Sequence, residues 1–405
     1  MVRLLIGILF LSSAAFAHSS STTRPEEDYA REIINHLAAP GMHGRGYVNH
    51  GDRIAAKYIE GQFKKDHVDV TVQKFKFPIN TFPGKMHISF DDLKLNVGAD
   101  YIVSAGAPNL KGEFAIVRNP AATDDLSQVF VWASDDFDSR KEPNPYKGAK
   151  GIIVSQNKLT AHMAQKVDGF VLVEVLKSSI PATTPLMKKI KIDVESKFIE
   201  QYESQNIIAT VKGSRTPDSF IVFTAHYDHL GQMGTKVFFP GANDNASGIA
   251  MLLNLARHFS EPANQPPVSM MFVAFSGEEV GLLGSKYYVE HPTVPLEQIR
   301  FLLNFDMVGT GDDGIQVVNS VDHPAEFKTL VDLNNQFAYL KEVKTRGNAK
   351  ISDHYPFTEH GVKALFIYTL GGIKAYHDVY DRRKTLPLTR FENLFQLLVE
   401  FTKTL

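Results

Sequence analysis

Apolar and polar positions divide this chain into three stretches. In the first 80 residues the spacing is helical, then alternating. Glu26 to His36 (EEDYAREIINH) predicts a helix. Arg53 to Lys65 (RIAAKYIEGQFKK) predicts a second, amphipathic one with Ile54, Tyr58, Ile59 and Phe63 on one side. LAAPGMHGRGYVNHGD between them reads as a Gly-rich loop, and VDVTVQKFKF alternates as a strand with one exposed face does.

From about residue 80 to 200 the helical period fades. Short β-like runs recur instead: MHISF, YIVSA, EFAIV, QVFVWA, GIIVS and GFVLVEV. They predict a mostly β insertion over residues 81–199 that covers or flanks a site. The alternative is a continuation of the main sheet.

Beyond Asn206 strands and helices alternate. NIIATVKG, SFIVFTAHYD, VSMMFVAFSG, FLLNFDMVG, GIQVVNS and KALFIYTL predict strands; several are too uniformly apolar to be anything but buried. SGIAMLLNLARHF, LLGSKYYVEHP, Ala325 to Leu340 and Leu388 to Leu405 predict helices. The fold class is therefore α/β: a largely parallel mixed sheet sandwiched by helices, built from residues 26–80 and 200–405, with a mostly β inserted domain.

Composition narrows the partners. A chain of 405 residues with 43% hydrophobic residues can bury a large core, and a net charge of -2 gives no electrostatic support for nucleic-acid binding. Residues 1–17, MVRLLIGILFLSSAAFA, have the form of a signal peptide: Arg3, the apolar run Leu4 to Leu11, and the small-x-small end Ala15-Phe16-Ala17. They imply an exported protein, periplasmic or secreted, with no stable membrane insertion once the signal is removed. The absence of cysteine removes thiolate metal sites and cysteine nucleophiles.

The chemistry falls where strands end, which is where ligands gather in parallel sheets. His226 and Asp228 close SFIVFTAHYD, Glu278 and Glu279 follow AFSG, Asp306 follows FLLNF, and His377 and Asp381 follow KALFIYTL. Asp244 precedes a helix start at Ser247 and Gly248. Taken singly, a His-x-Asp is common, Asp244 with Ser247 also fits a helix cap, and paired glutamates are usually solvated. Glu278, Glu279 and Asp306, however, follow runs too apolar for a surface, and a carboxylate there is costly unless it is paired or binds a cation.

The set HYDH, GANDNASG, SGEEVGLLGS, NFDMVG, SDHYPF and YHDVYD resembles the aminopeptidase-type co-catalytic zinc exopeptidases, the twenty-eighth metallopeptidase family. The resemblance implies two zinc ions per chain. It implies His226 and Asp306 as ligands of one, Glu279 and His377 of the other, Asp244 as the bridge, and Glu278 as general base. It further implies a cis peptide after Asp244. Asp228 is a candidate to orient His226. Ser352, Asp353, Arg346 and Tyr376 are candidates for substrate contact, Ser352 and Asp353 having a helix-cap reading beside it. The insertion weakly resembles a protease-associated domain, which implies a lid or an access role.

The function implied is hydrolysis of N-terminal residues from peptide substrates. A carboxypeptidase or dipeptidase of the same family is the alternative, with Arg346 and Lys350 as the nearby cations. Glutaminyl cyclisation and a non-catalytic binding protein are opposed by the full ligand set and by Glu278.

Overall fold

A computed structural model describes residues 25–405 apart from 135–136, 138–143 and 181–186. The expected signal peptide, residues 1–17, lies outside the described residues.

One eight-stranded sheet runs, edge to edge, Asp69–Thr81, Lys197–Val211, Val268–Phe275, Thr216–His226, Ile299–Phe305, Ala364–Thr369, Ile315–Val318 and Val343–Thr345. The middle four strands are parallel, with antiparallel neighbours on both sides. Every residue of Val268–Phe275 is buried, as its unbroken apolar run requires of a strand covered on both faces.

Alternation along Thr216–His226 shows how the two faces are filled. Ile221, Phe223 and Ala225 join the core made with helices Pro25–Leu37, Gly51–Lys65, Gly248–Ser260 and Phe391–Thr402. Phe220 and Val222 join the opposite core, with Tyr288 and Val289 of helix Leu283–Glu290 and Phe357 of helix His354–Glu359. The sheet is thus sandwiched by helices, and the fold class is the α/β one expected.

Three details differ from the sequence reading. Ile54 is 38% exposed. Ile59 and Phe63 of the expected side are buried, joined by Asp52, Ala55 and Ala56, because positions 52, 55, 56, 59 and 63 share one helical face on which Ile54 does not lie. The Gly-rich loop contains two short 3-10 turns, Pro40–Arg45 and Val48–His50. Strand Lys197–Val211 starts well before Asn206, its polar first half pairing with the edge strand Asp69–Thr81.

Residues 86–194 build a separate eight-stranded sheet rather than extending the first. Leu110–Val117, Val129–Trp132, Gly151–Gln156 and Val171–Leu176 are parallel at its centre. Its apolar core takes in Leu230, Met233, Phe239 and Val379 from the first part of the molecule. Among the described residues no helix is long and apolar enough to cross a membrane.

Candidate metal centre

The central parallel strands end side by side, and their carboxyl ends carry the polar residues. His226 is the last residue of Thr216–His226, Glu278 and Glu279 follow Val268–Phe275 by a Ser-Gly turn, and Asp306 follows Ile299–Phe305. Asp244 sits in the irregular turn Ala242–Ser247 that opens helix Gly248–Ser260, and its peptide bond to Asn245 is cis. His377 comes from the loop after Ala364–Thr369. All six line one cleft of about 470 Å³.

Within the cleft the carboxylate of Asp244 lies between two imidazoles. Its Oδ1 is 3.5 Å from Nε2 of His226, and its Oδ2 is 3.1 Å from Nε2 of His377. His226 Nε2 also stands 3.4 Å from Asp306 Oδ1 and 3.9 Å from Glu278 Oε2. His377 Nε2 is 3.2 Å from Glu279 Oε2. Donor atoms of His226, Glu278 and Asp306 lie within 4.8 Å of one another, as do those of His226, Asp244 and Glu279. A small cation fits such spacing.

Both histidines have their other nitrogen on a backbone carbonyl. Nδ1 of His226 is 3.2 Å from the Asp228 carbonyl, and Nδ1 of His377 is 2.9 Å from the Ala161 carbonyl. A carbonyl only accepts, so each Nδ1 carries a hydrogen, and Nε2, facing the carboxylates, is the nitrogen each ring can offer to a cation once it is deprotonated. Asp228 thus meets the His226 ring through its backbone carbonyl, while its side chain bonds elsewhere. Its carboxylate is 3.8 Å from the His226 ring and instead accepts from the Tyr47 hydroxyl at 2.8 Å and from the Glu278 N–H at 3.2 Å.

Asp306 is held by a relay across two strands. Thr224 Oγ1 donates to Asn304 Oδ1, Asn304 Nδ2 donates to Ser352 Oγ, and Ser352 Oγ donates to Asp306 Oδ2 at 3.0 Å. Ser352 therefore touches a site carboxylate. Asp353 occupies the N-cap position of His354–Glu359 but makes no capping bond; it accepts from Ser285 Oγ at 2.6 Å, which overturns the helix-cap reading. Arg346 is exposed at the cleft, where its guanidinium donates to the Tyr368 hydroxyl. The Tyr376 ring stacks 4.0 Å over His377.

Three contributors went unassigned in the sequence. His229, in the same HYDH motif as His226, places Nδ1 2.6 Å from Glu279 Oε1. Asp381, in the same motif as His377, accepts the N–H groups of Asn243 and Asp244. Arg45, whose loop position gives no local signal, is fully buried and donates to the carbonyls of Tyr227, Leu37, Pro240, Gly241 and Asp244. Gly241 is needed there: its φ is +57°, and a Cβ would fall 2.5 Å from Arg45 Nη2.

The electrostatics call for positive charge. Burial lowers the basicity of His377, yet the Glu279 and Asp244 carboxylates carry its pKa up to about 11. His226 is likewise driven well above the usual imidazole range, with burial opposed by Glu278 and Asp306. Burial raises Glu278 far above an ordinary carboxylate, His226 pulling it down and Asp306 and Asp353 adding to the rise. Burial would raise Glu279 too, but His377 and His229 hold it well below. Buried carboxylates that force protons onto imidazoles form a donor set suited to divalent cations, and mixed imidazole and carboxylate donors suit zinc.

This fold and donor set define a metallohydrolase of the zinc exopeptidase type. The chain matches the model of Peptidase family M28 over residues 206–402. Aminopeptidase YwaD of Bacillus subtilis is 32% identical over 343 residues, which cover 78% of this chain and 70% of that protein. Leupeptin-inactivating enzyme 1 of Streptomyces exfoliatus is 34% identical over 158 residues, covering 39% of this chain and 34% of that enzyme. The fold is shared with BSAP, a zinc aminopeptidase from Bacillus subtilis, at a TM-score of 0.75 and 23% identity, covering 93% of this chain and 94% of that one. A Peptidase M28 precursor from Shewanella amazonensis gives 0.72 at 17% identity, covering 94% and 95%. The chain belongs to peptidase family M28 and is a hydrolase acting on peptide bonds.

Proposed function

We propose that this chain is an exported two-zinc aminopeptidase that removes N-terminal residues from peptides. The observation that carries the reading is the placement of Asp244, one oxygen toward His226 and the other toward His377. His226, Asp306 and Asp244 Oδ1 would hold one zinc. Asp244 Oδ2, Glu279 and His377 would hold the other. Two zinc ions so bound supply Lewis acidity and make water acidic near neutral pH.

Glu278 supplies the proton transfer. It faces the same cleft, where its carboxylate would take a proton from the attacking water and pass it to the leaving amine. Its backbone N–H donates to Asp228 Oδ1 at 3.2 Å, which anchors the start of the turn that carries it. YwaD and BSAP, both named as aminopeptidases, support the choice of reaction. Arg346 and Lys350 on the cleft wall favour a second reading, in which they receive a substrate carboxylate as a carboxypeptidase or dipeptidase would.

A peptide panel with free, N-acetylated and C-amidated ends separates these readings. An aminopeptidase loses N-acetylated substrates and keeps amidated ones; equal cleavage of acetylated peptide would sink it. Glu278→Gln should keep close to two zinc ions per chain while turnover is lost, and retained turnover would remove its base role. Export rests on residues 1–17, and N-terminal sequencing of the mature protein checks it: a start at His18 is expected.

A further inference from the structure

The inserted sheet reaches the metal centre itself. Beyond strand Gly151–Gln156 runs the segment 158–165, KLTAHMAQ. Ala161, 3% exposed, brackets His377 with two bonds. Its N–H donates to the His377 carbonyl at 2.9 Å, and its carbonyl accepts Nδ1–H of the His377 ring at 2.9 Å. Further ties hold the segment on both sides. Gln165 Nε2 donates to the carbonyl of Val280, the residue after Glu279, at 2.7 Å. Lys158 Nζ donates to the Lys374 carbonyl at 3.1 Å and lies 3.4 Å from Asp378. Leu159 and Ala161 are packed in the same core as Val379 and Leu230.

We propose that segment 158–165 of the inserted sheet is a positioning element of the metal centre, holding His377 in the orientation and tautomer that presents Nε2 to zinc. A free imidazole rotates about two side-chain bonds and exchanges tautomers. A fixed carbonyl on Nδ1 removes both freedoms, and such outer partners change metal affinity by about 10- to 100-fold. The insertion is then no free-swinging lid, because displacing it breaks both bonds to His377. Its seating and the retention of one zinc are one event. This rests on the two-zinc reading above.

Zinc competition against a graded chelator tests it, read as zinc retained per folded chain. Ala161→Pro deletes the N–H that clasps His377; Lys158→Ala combined with Gln165→Ala removes the flanking ties by side chain alone. The parent should hold two zinc ions. In the variants one should stay as tightly bound as before, and the other should leave at about 10- to 100-fold lower chelator strength. Far-UV circular dichroism reports folding, and if Ala161→Pro does not fold, the double variant decides. Folded variants that keep both ions at parental affinity, or that lose both in equal measure, overturn the proposal. A parent that binds fewer than two ions overturns the two-zinc reading itself.

Discussion

Nδ1 of His229 stands 2.6 Å from Oε1 of Glu279, and the imidazole is fully buried. The contact fixes one oxygen of Glu279 and leaves the other to face His377 Nε2 at 3.2 Å. Without it, Glu279 is free to turn, and its negative charge loses a donor. His229→Ala should weaken the zinc assigned to Glu279 and His377 by about 10- to 100-fold in chelator competition, with His229→Gln recovering part of the loss. Unchanged affinity in His229→Ala would mean that the ring only fills space.

Arg45 predicts a loss of stability instead. Its guanidinium reaches five backbone carbonyls and no carboxylate oxygen, the shortest contact being 2.7 Å to Tyr227. Burial lowers its pKa to about 10, with nearby Asp244 opposing, so it stays charged at neutral pH. Arg45→Met leaves those carbonyls unpaired and should cost about 3–5 kcal/mol in urea denaturation. Arg45→Lys should rescue little, since an ammonium cannot span the fork. A cost under about 1 kcal/mol would show that water takes over the carbonyls.

Zinc uptake should release protons. In the metal-free site His377 has its pKa carried to about 11, burial being outweighed by Glu279 and Asp244, and His226 is also raised. Both imidazoles are therefore protonated at neutral pH and must lose a proton to bind. Zinc affinity should rise with pH from 6 to 9, and calorimetry in buffers of different ionisation enthalpy should show net proton release. A pH-independent affinity would contradict that protonation.

His354 predicts an acid-side effect. Its buried ring lies 5.1 Å from Phe366, and burial lowers its pKa to about 4 from 6.5, the Ala349 and Ser352 backbone opposing. The unfolded chain binds this proton more readily, so the stability that goes with a neutral His354 is present above pH 6.5 and lost as pH falls toward 4. Two and a half pK units correspond to about 3 kcal/mol. His354→Leu should gain on the parent as pH drops from 7 to 5, compared at each pH by urea midpoints. A constant difference would rule out His354 as the source.

The site's donors were legible because sheet physics places them. An apolar run with a carboxylate or imidazole at or just past its end marks a parallel strand's carboxyl end; His226 closes its strand, Asp306 follows its strand directly, and Glu278 and Glu279 follow theirs after Ser276-Gly277. Their supporting partners were less visible, for physical reasons. The carbonyl that orients His377 lies 216 residues away, and a backbone atom has no residue type to recognise. Arg45 sits among glycines, where an arginine reads as solvated, and only the three-dimensional meeting of five carbonyls makes it a core residue. The insertion's β character showed in its short runs, which favoured an inserted unit over a continuation of the main sheet; its strand order did not show, because strand order is not encoded by period.

The bracket on His377 bears on how this protein can be divided. The stretch matching the family, residues 206–402, holds all six polar residues of the centre. It is not a portable cassette. A truncation at 206 would discard Arg45, discard Ala161, and cut strand Lys197–Val211 partway along its length. By the positioning role proposed for segment 158–165, a unit transplanted with its metal chemistry has to carry both sheets.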